Sequence, residues 1–97
     1  MVIWTEPAKQ DLKSIFNYIA TDSNDYASEV SVEIISFVEK MGLFPNKGRV
    51  VPEIGNKDIR ELFIYSYRII YQIINANVVV LAIIHGKRKV SELNIFK

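Results

Sequence analysis

Between Ile59 and His85 the chain passes through three runs rich in β-branched and aromatic residues, Ile59 to Tyr65, Tyr67 to Ile74 and Val78 to His85, parted only by Ser66 and by Asn75-Ala76-Asn77. Such runs favour strands. Breaks this short leave no room for the long crossover that parallel neighbours require, so consecutive strands must pair as antiparallel hairpins. A small meander is stable only when its apolar face is covered, and that need governs the reading of everything upstream.

The cover is found in the first half of the chain. Val2-Ile3-Trp4 is a short β-prone run that stops at Thr5-Glu6-Pro7, and Pro7 suits the first turn of a helix, where its missing N–H costs nothing. Ala8, Leu12, Ile15, Phe16 and Ile19 then recur at helical spacing, which predicts a helix over 7–20. After the turn and cap residues Thr21 to Asp25, Ala27, Val30, Ile34, Phe37, Val38 and Met41 predict a second helix that ends at Gly42. The short polar link makes the two an antiparallel hairpin. The expected architecture is therefore α+β, in the order β-α-α-β-β-β, with the helical hairpin packed on one face of a small, mainly antiparallel sheet. At 97 residues and 49% apolar composition there is material for one core, so residues 1–97 are expected to form a single domain. Leu43 to Asn56 holds two prolines and two glycines over 14 residues and reads as a long loop, the kind that is often functional.

Composition narrows the chemistry. The chain has no cysteine and one histidine, His85, which removes disulfides, thiolate catalysis and histidine-built metal sites, so neither metal nor cofactor is expected. The N-terminus lacks a basic segment followed by an apolar one, and the longest apolar run, Val78 to Ile84, is seven residues. A cytoplasmic protein without membrane contact is expected. Charge is unevenly placed: up to Asn46 there are three basic and seven acidic residues, and beyond it nine basic and four acidic. The C-terminal half is thus suited to a polyanion or an acidic protein partner.

Alternation along the second run places Tyr67 with Ile69, Tyr71 and Ile73 on the better core face, and Arg68 with Ile70 and Gln72 on the other. Arg60 alternates with Leu62 and Ile64, and in one register both guanidiniums emerge on the face away from the helices. His85-Gly86-Lys87-Arg88-Lys89 sets an imidazole beside three cations at the end of the last strand. Arg49, Arg60, Arg68, Lys87, Arg88 and Lys89 form a candidate phosphate- or target-binding set, since guanidinium forks match phosphate oxygens. For RNA chemistry, Glu53 and His85 are the candidate proton carriers, with Arg60 and Arg68 stabilising charge on the phosphate. Plainer roles stand beside these: a solvated strand end for Lys87 to Lys89, a ring hydrogen-bonded at a sheet edge for His85, a surface carboxylate for Glu53. The tail after Lys89 carries no clear pattern.

Taken in order, Trp4, Pro7-Ala8, Asp11-Leu12, Gly48-Arg49-Val50-Val51-Pro52-Glu53, Ile59-Arg60-Glu61, Tyr67-Arg68-Ile69-Ile70-Tyr71 and Ile84-His85-Gly86-Lys87-Arg88 resemble the RelE/ParE superfamily of toxins from type II toxin–antitoxin operons, often called plasmid stabilisation proteins. The resemblance spans nearly the whole chain and implies the same β-α-α-β-β-β fold. It implies neutralisation by a cognate antitoxin, an acidic segment of which wraps the toxin. It also implies one of two targets. ParE-like members inhibit DNA gyrase without catalysis of their own; RelE-like members are mRNA interferases that cut messenger RNA on the ribosome without metal. Matched by fragment, Glu53 corresponds to the base of some RNA-cutting members, and Arg60 and Arg68 to their phosphate-binding arginines. His85 closes the last strand in the ParE-like manner, and the C-terminal tyrosine or His-Tyr pair of many RNA-cutting relatives is lacking. The sequence therefore stands closer to the ParE-like branch, with gyrase as the expected target and messenger RNA as the alternative.

Overall fold

The computed structural model describes residues 1–85 and orders them as β1 (Val2–Trp4), α1 (Glu6–Ala20), α2 (Asn24–Met41), a single 3-10 turn at Pro45–Lys47, β2 (Arg49–Val50), β3 (Ile59–Ile64), β4 (Tyr67–Ile74) and β5 (Asn77–His85). The three long strands pair antiparallel in succession, as the short breaks demand. β1 adds parallel to β5 and β2 adds antiparallel to β3, giving one sheet in the order β1-β5-β4-β3-β2. The sheet is mainly antiparallel, and both helices lie on one face.

Local chemistry explains how the helices are seated. Thr5 accepts the Ala8 N–H at 3.3 Å and so caps α1, while its hydroxyl donates to the Val80 carbonyl at 2.7 Å. One side chain both starts the helix and ties it to the sheet. Asp11, two turns along, accepts the Ile83 N–H of β5 at 2.9 Å, beyond the last residue that β1 pairs with. Ser23 caps α2 by accepting the Tyr26 N–H at 3.1 Å. The buried stripe of α2, Val30, Ile34, Val38 and Met41, packs with Ala8 and Ile15 of α1 onto Ile69, Tyr71, Val78, Val80 and Ile83. This is the core face that alternation assigns to β4.

Two features depart from expectation. The 43–56 segment is not loop throughout: it makes the 3-10 turn and then β2, which covers part of the outer edge of β3. Beyond β2, Val51 folds over the second face of the sheet and joins Ile59, Ile70, Ala82 and Ile84 in a second, smaller core. The reason is energetic, since these apolar side chains face away from the helices and would otherwise stay in water.

Tyr71 fixes that segment from within. It is fully buried, its hydroxyl donates to the Pro45 carbonyl at 2.6 Å, and it accepts the Gly48 N–H at 3.0 Å. Gly48 has to be glycine, because a Cβ there would stand 2.4 Å from the Tyr71 hydroxyl and 2.7 Å from the Glu61 carbonyl. Tyr71→Phe is predicted to cost about 1–3 kcal/mol, as the buried Gly48 N–H and the Pro45 carbonyl lose their partner, read as a lowered urea midpoint. Burial raises the Tyr71 phenol above its ordinary value of 10.0. The folded chain then holds a proton that the unfolded chain releases, so this contribution is intact below pH 10 and lost as the pH climbs toward the folded value. Denaturation series above pH 10 should show wild-type stability falling more steeply than that of Tyr71→Phe.

Candidate functional site

On the second face of the sheet, β2, β3, β4 and the segment after β2 each bring one charged side chain to a common cluster. The hairpin sets Glu61 opposite Ile70 and Phe63 opposite Arg68, so Glu61 and Arg68 are diagonal neighbours on one face. Arg68 Nε donates to Glu61 Oε1 at 2.9 Å, and its Nη2 reaches the same oxygen. Its two terminal nitrogens also donate to the two oxygens of Glu53, each at 3.1 Å, in a fork-to-fork pair. Arg49 of β2 donates through Nε to the other oxygen of Glu61. The sequence is a chain of alternating charge, Arg49–Glu61–Arg68–Glu53, with two positive and two negative members.

Burial differs sharply along it. The Glu61 side chain is 0% exposed and that of Arg68 7%, whereas Glu53 is 37% and Arg49 62% exposed. Hydrogen bonds to Glu53, and secondarily to Glu61, raise Arg68 above its ordinary value against the opposing effect of burial, so the guanidinium is firmly charged. Phe63, half-exposed on this face, has the Arg49 guanidinium 5.4 Å and the Arg68 guanidinium 6.0 Å from its ring centroid. These are cation–π distances, and the ring shields the inner pair from water.

The other predicted residues lie elsewhere. Arg60 pairs with Tyr71 and so shares the helix-side face, not the face of Arg68; the expectation that both guanidiniums emerge together is corrected. A two-residue turn at Tyr65-Ser66, where the sequence reading had Ser66 alone, shifts the register by one and reverses the facing. Arg60 serves the backbone, donating to the carbonyls of Lys57 at 3.0 Å, Gly48 at 2.9 Å and Asn46 at 3.4 Å. His85 pairs with Tyr67 at the far end of β5, on the helix side, and its ring meets that of Tyr67 edge to face at 6.3 Å. Glu53 and His85 are therefore on opposite faces of the sheet. Lys87, Arg88, Lys89 and the tail after them lie outside the described residues.

Glu61 is the member that sequence reading missed. Its signal is present, since a carboxylate that alternates with Ile59 and Phe63 in a strand needs a cationic partner if that face is buried. Arg68→Ala is predicted to destabilise the fold by about 3–5 kcal/mol, because it leaves Glu61 buried with only the exposed Arg49 as partner. Glu53→Gln should cost less than about 1 kcal/mol, its carboxylate being partly in water. Chemical denaturation of the two variants reads the contrast.

The family model described as ParE toxin of type II toxin-antitoxin system, parDE, matches residues 2–90. Among solved structures, a chain from the chromosomal ParDE toxin–antitoxin system of P. aeruginosa is similar, with a TM-score of 0.74 over 89% of this chain and 95% of that one, at 19% identity. At that identity the likeness is one of fold. No curated protein matches the chain in sequence.

Proposed function

This chain belongs to the ParE toxin family of type II toxin–antitoxin systems, and from that premise we propose that it arrests growth by binding DNA gyrase and is neutralised by a cognate antitoxin. The observation that carries a binding role over RNA cleavage is the commitment of the candidate catalytic groups. Glu53, the matched base, is forked onto Arg68, and every nitrogen of that guanidinium is engaged by Glu53 or Glu61. Arg60 holds three backbone carbonyls. His85 is on the opposite face from Glu53. A general base and a charge stabiliser must converge on one phosphate, within hydrogen-bond reach of it. Among the described residues the four do not converge.

Binding makes different demands. The ion chain and Tyr71 hold Arg49 and the β2 edge in a fixed position, and fixed positive charge is what steers and orients a charged partner. Arg49 on that edge, with Lys87, Arg88 and Lys89 beyond β5, supplies the target contact. The same positive potential suits the acidic segment of the antitoxin, so one surface serves inhibition and neutralisation in turn.

Purified protein is expected to block supercoiling by gyrase and, on induced expression, to cause filamentation and a DNA-damage response with transcripts intact. Co-expression of the antitoxin encoded beside it should abolish both. Glu53→Gln should keep this activity, and replacement of Lys87, Arg88 and Lys89 by glutamine should weaken it. Cut transcripts that disappear in Glu53→Gln would reverse the assignment and make the protein a ribosome-dependent mRNA endonuclease.

A further inference from the structure

A cleft of about 540 Å³ opens where the helical hairpin meets the β3–β4 turn, on the helix side of the sheet and away from the Arg68 cluster. Its walls carry Tyr18 from α1, Tyr26 from α2, Tyr65 from the turn, and Tyr67 and His85 from the adjoining strand ends, with buried Val30 between them. Tyr18, Tyr26 and Tyr65 are 78%, 50% and 47% exposed, so their rings are available to a ligand.

Two features show that the wall is held in place. Tyr65 adopts φ 54, a left-handed conformation that is costly for a bulky residue, and its hydroxyl donates to Glu33 of α2. Tyr67 is fixed edge to face against His85. Two carboxylates stand beside this wall: Glu29 and Glu33, four residues apart and so on one side of α2, both act electrostatically on Tyr65. The bond to Glu33 pushes the Tyr65 phenol up to about 12, and burial raises that of Tyr67, so both rings stay neutral at physiological pH.

We propose that this cleft receives an arginine or lysine side chain projecting from an apolar segment of a protein partner. Electron-rich ring faces attract a cation, and the carboxylates of Glu29 and Glu33 add to the attraction. The apolar lining at Ile15 and Val30 calls for apolar neighbours on either side of that cation, which a free ion or small amine lacks. Neither gyrase inhibition nor RNA cleavage is needed for this recognition.

The test is an NMR titration of the full chain with the capped tripeptide leucyl-arginyl-leucine, beside the same peptide with citrulline, its uncharged isostere. The arginine peptide should bind about tenfold more tightly, shift the Tyr18, Tyr26, Tyr65 and Tyr67 ring signals, and lose about tenfold in affinity with Tyr18→Leu or with Glu33→Gln. Tyr18 is largely exposed, so its replacement leaves the fold intact. Equal affinity for the two peptides would overturn the assignment. So would tighter binding after Lys87, Arg88 and Lys89 are replaced by glutamine, since the chain's own basic run would then be the occupant.

Discussion

A guanidinium buried in the second face of the sheet has to be answered by carboxylates, and much of the surrounding structure follows from that demand. Arg68 and Glu61 are both almost withdrawn from water. Neither charge is tolerable alone there; each answers the other, and each has a second partner closer to solvent, Glu53 for the arginine and Arg49 for the glutamate. Those second partners sit on the 49–53 segment. The ion chain therefore draws β2 and the residues after it across the sheet, and Val51 between them closes the second core. Charge pairing and apolar burial act together there: the ion chain places residues 49 and 53, and Val51 between them is buried on the second face.

The same segment is held from the other side by groups that carry no charge pairing. Tyr71, from the helix-side core, and Arg60, at the sheet edge, converge on the carbonyls and N–H of residues 45–48. The Gly48 N–H is buried and the Pro45 and Gly48 carbonyls are partly so; such backbone groups have to be satisfied, and a 3-10 turn of one revolution cannot do so alone. Arg60 thereby takes a structural task that its type and position do not announce. An arginine reads as a phosphate ligand only if its donors are free for one.

Most of the fold was legible because its signals are local. Helical spacing gives both helices to within a few residues, and composition gives β3, β4 and β5 with ends displaced by one residue at most. The site was less legible because it depends on register, and register turned on one residue. Tyr65 is strand-like in type, yet it occupies the left-handed region as part of a two-residue turn with Ser66. Counting it as strand slips β3 by one position, puts Arg60 on the face of Arg68, and hides the diagonal contact between Arg68 and Glu61. The short strand β2 and the second core were hidden for a related reason: two β residues between glycine and proline have no periodicity to read, and their pairing is fixed by the distant charges.

Charge segregation in the sequence becomes, in the fold, a division between faces. Glu29 and Glu33 of α2 act on the tyrosine-lined cleft of the helix side, while the exposed Arg49 lies with the Arg68 cluster on the other face. The inner charges of the Arg68 cluster cancel within the protein and contribute rigidity more than field. A member of a toxin–antitoxin family, for which a cognate antitoxin is implied, gains a second surface from such a division. Attraction to one face does not oppose attraction to the other, and a segment of mixed charge can engage both.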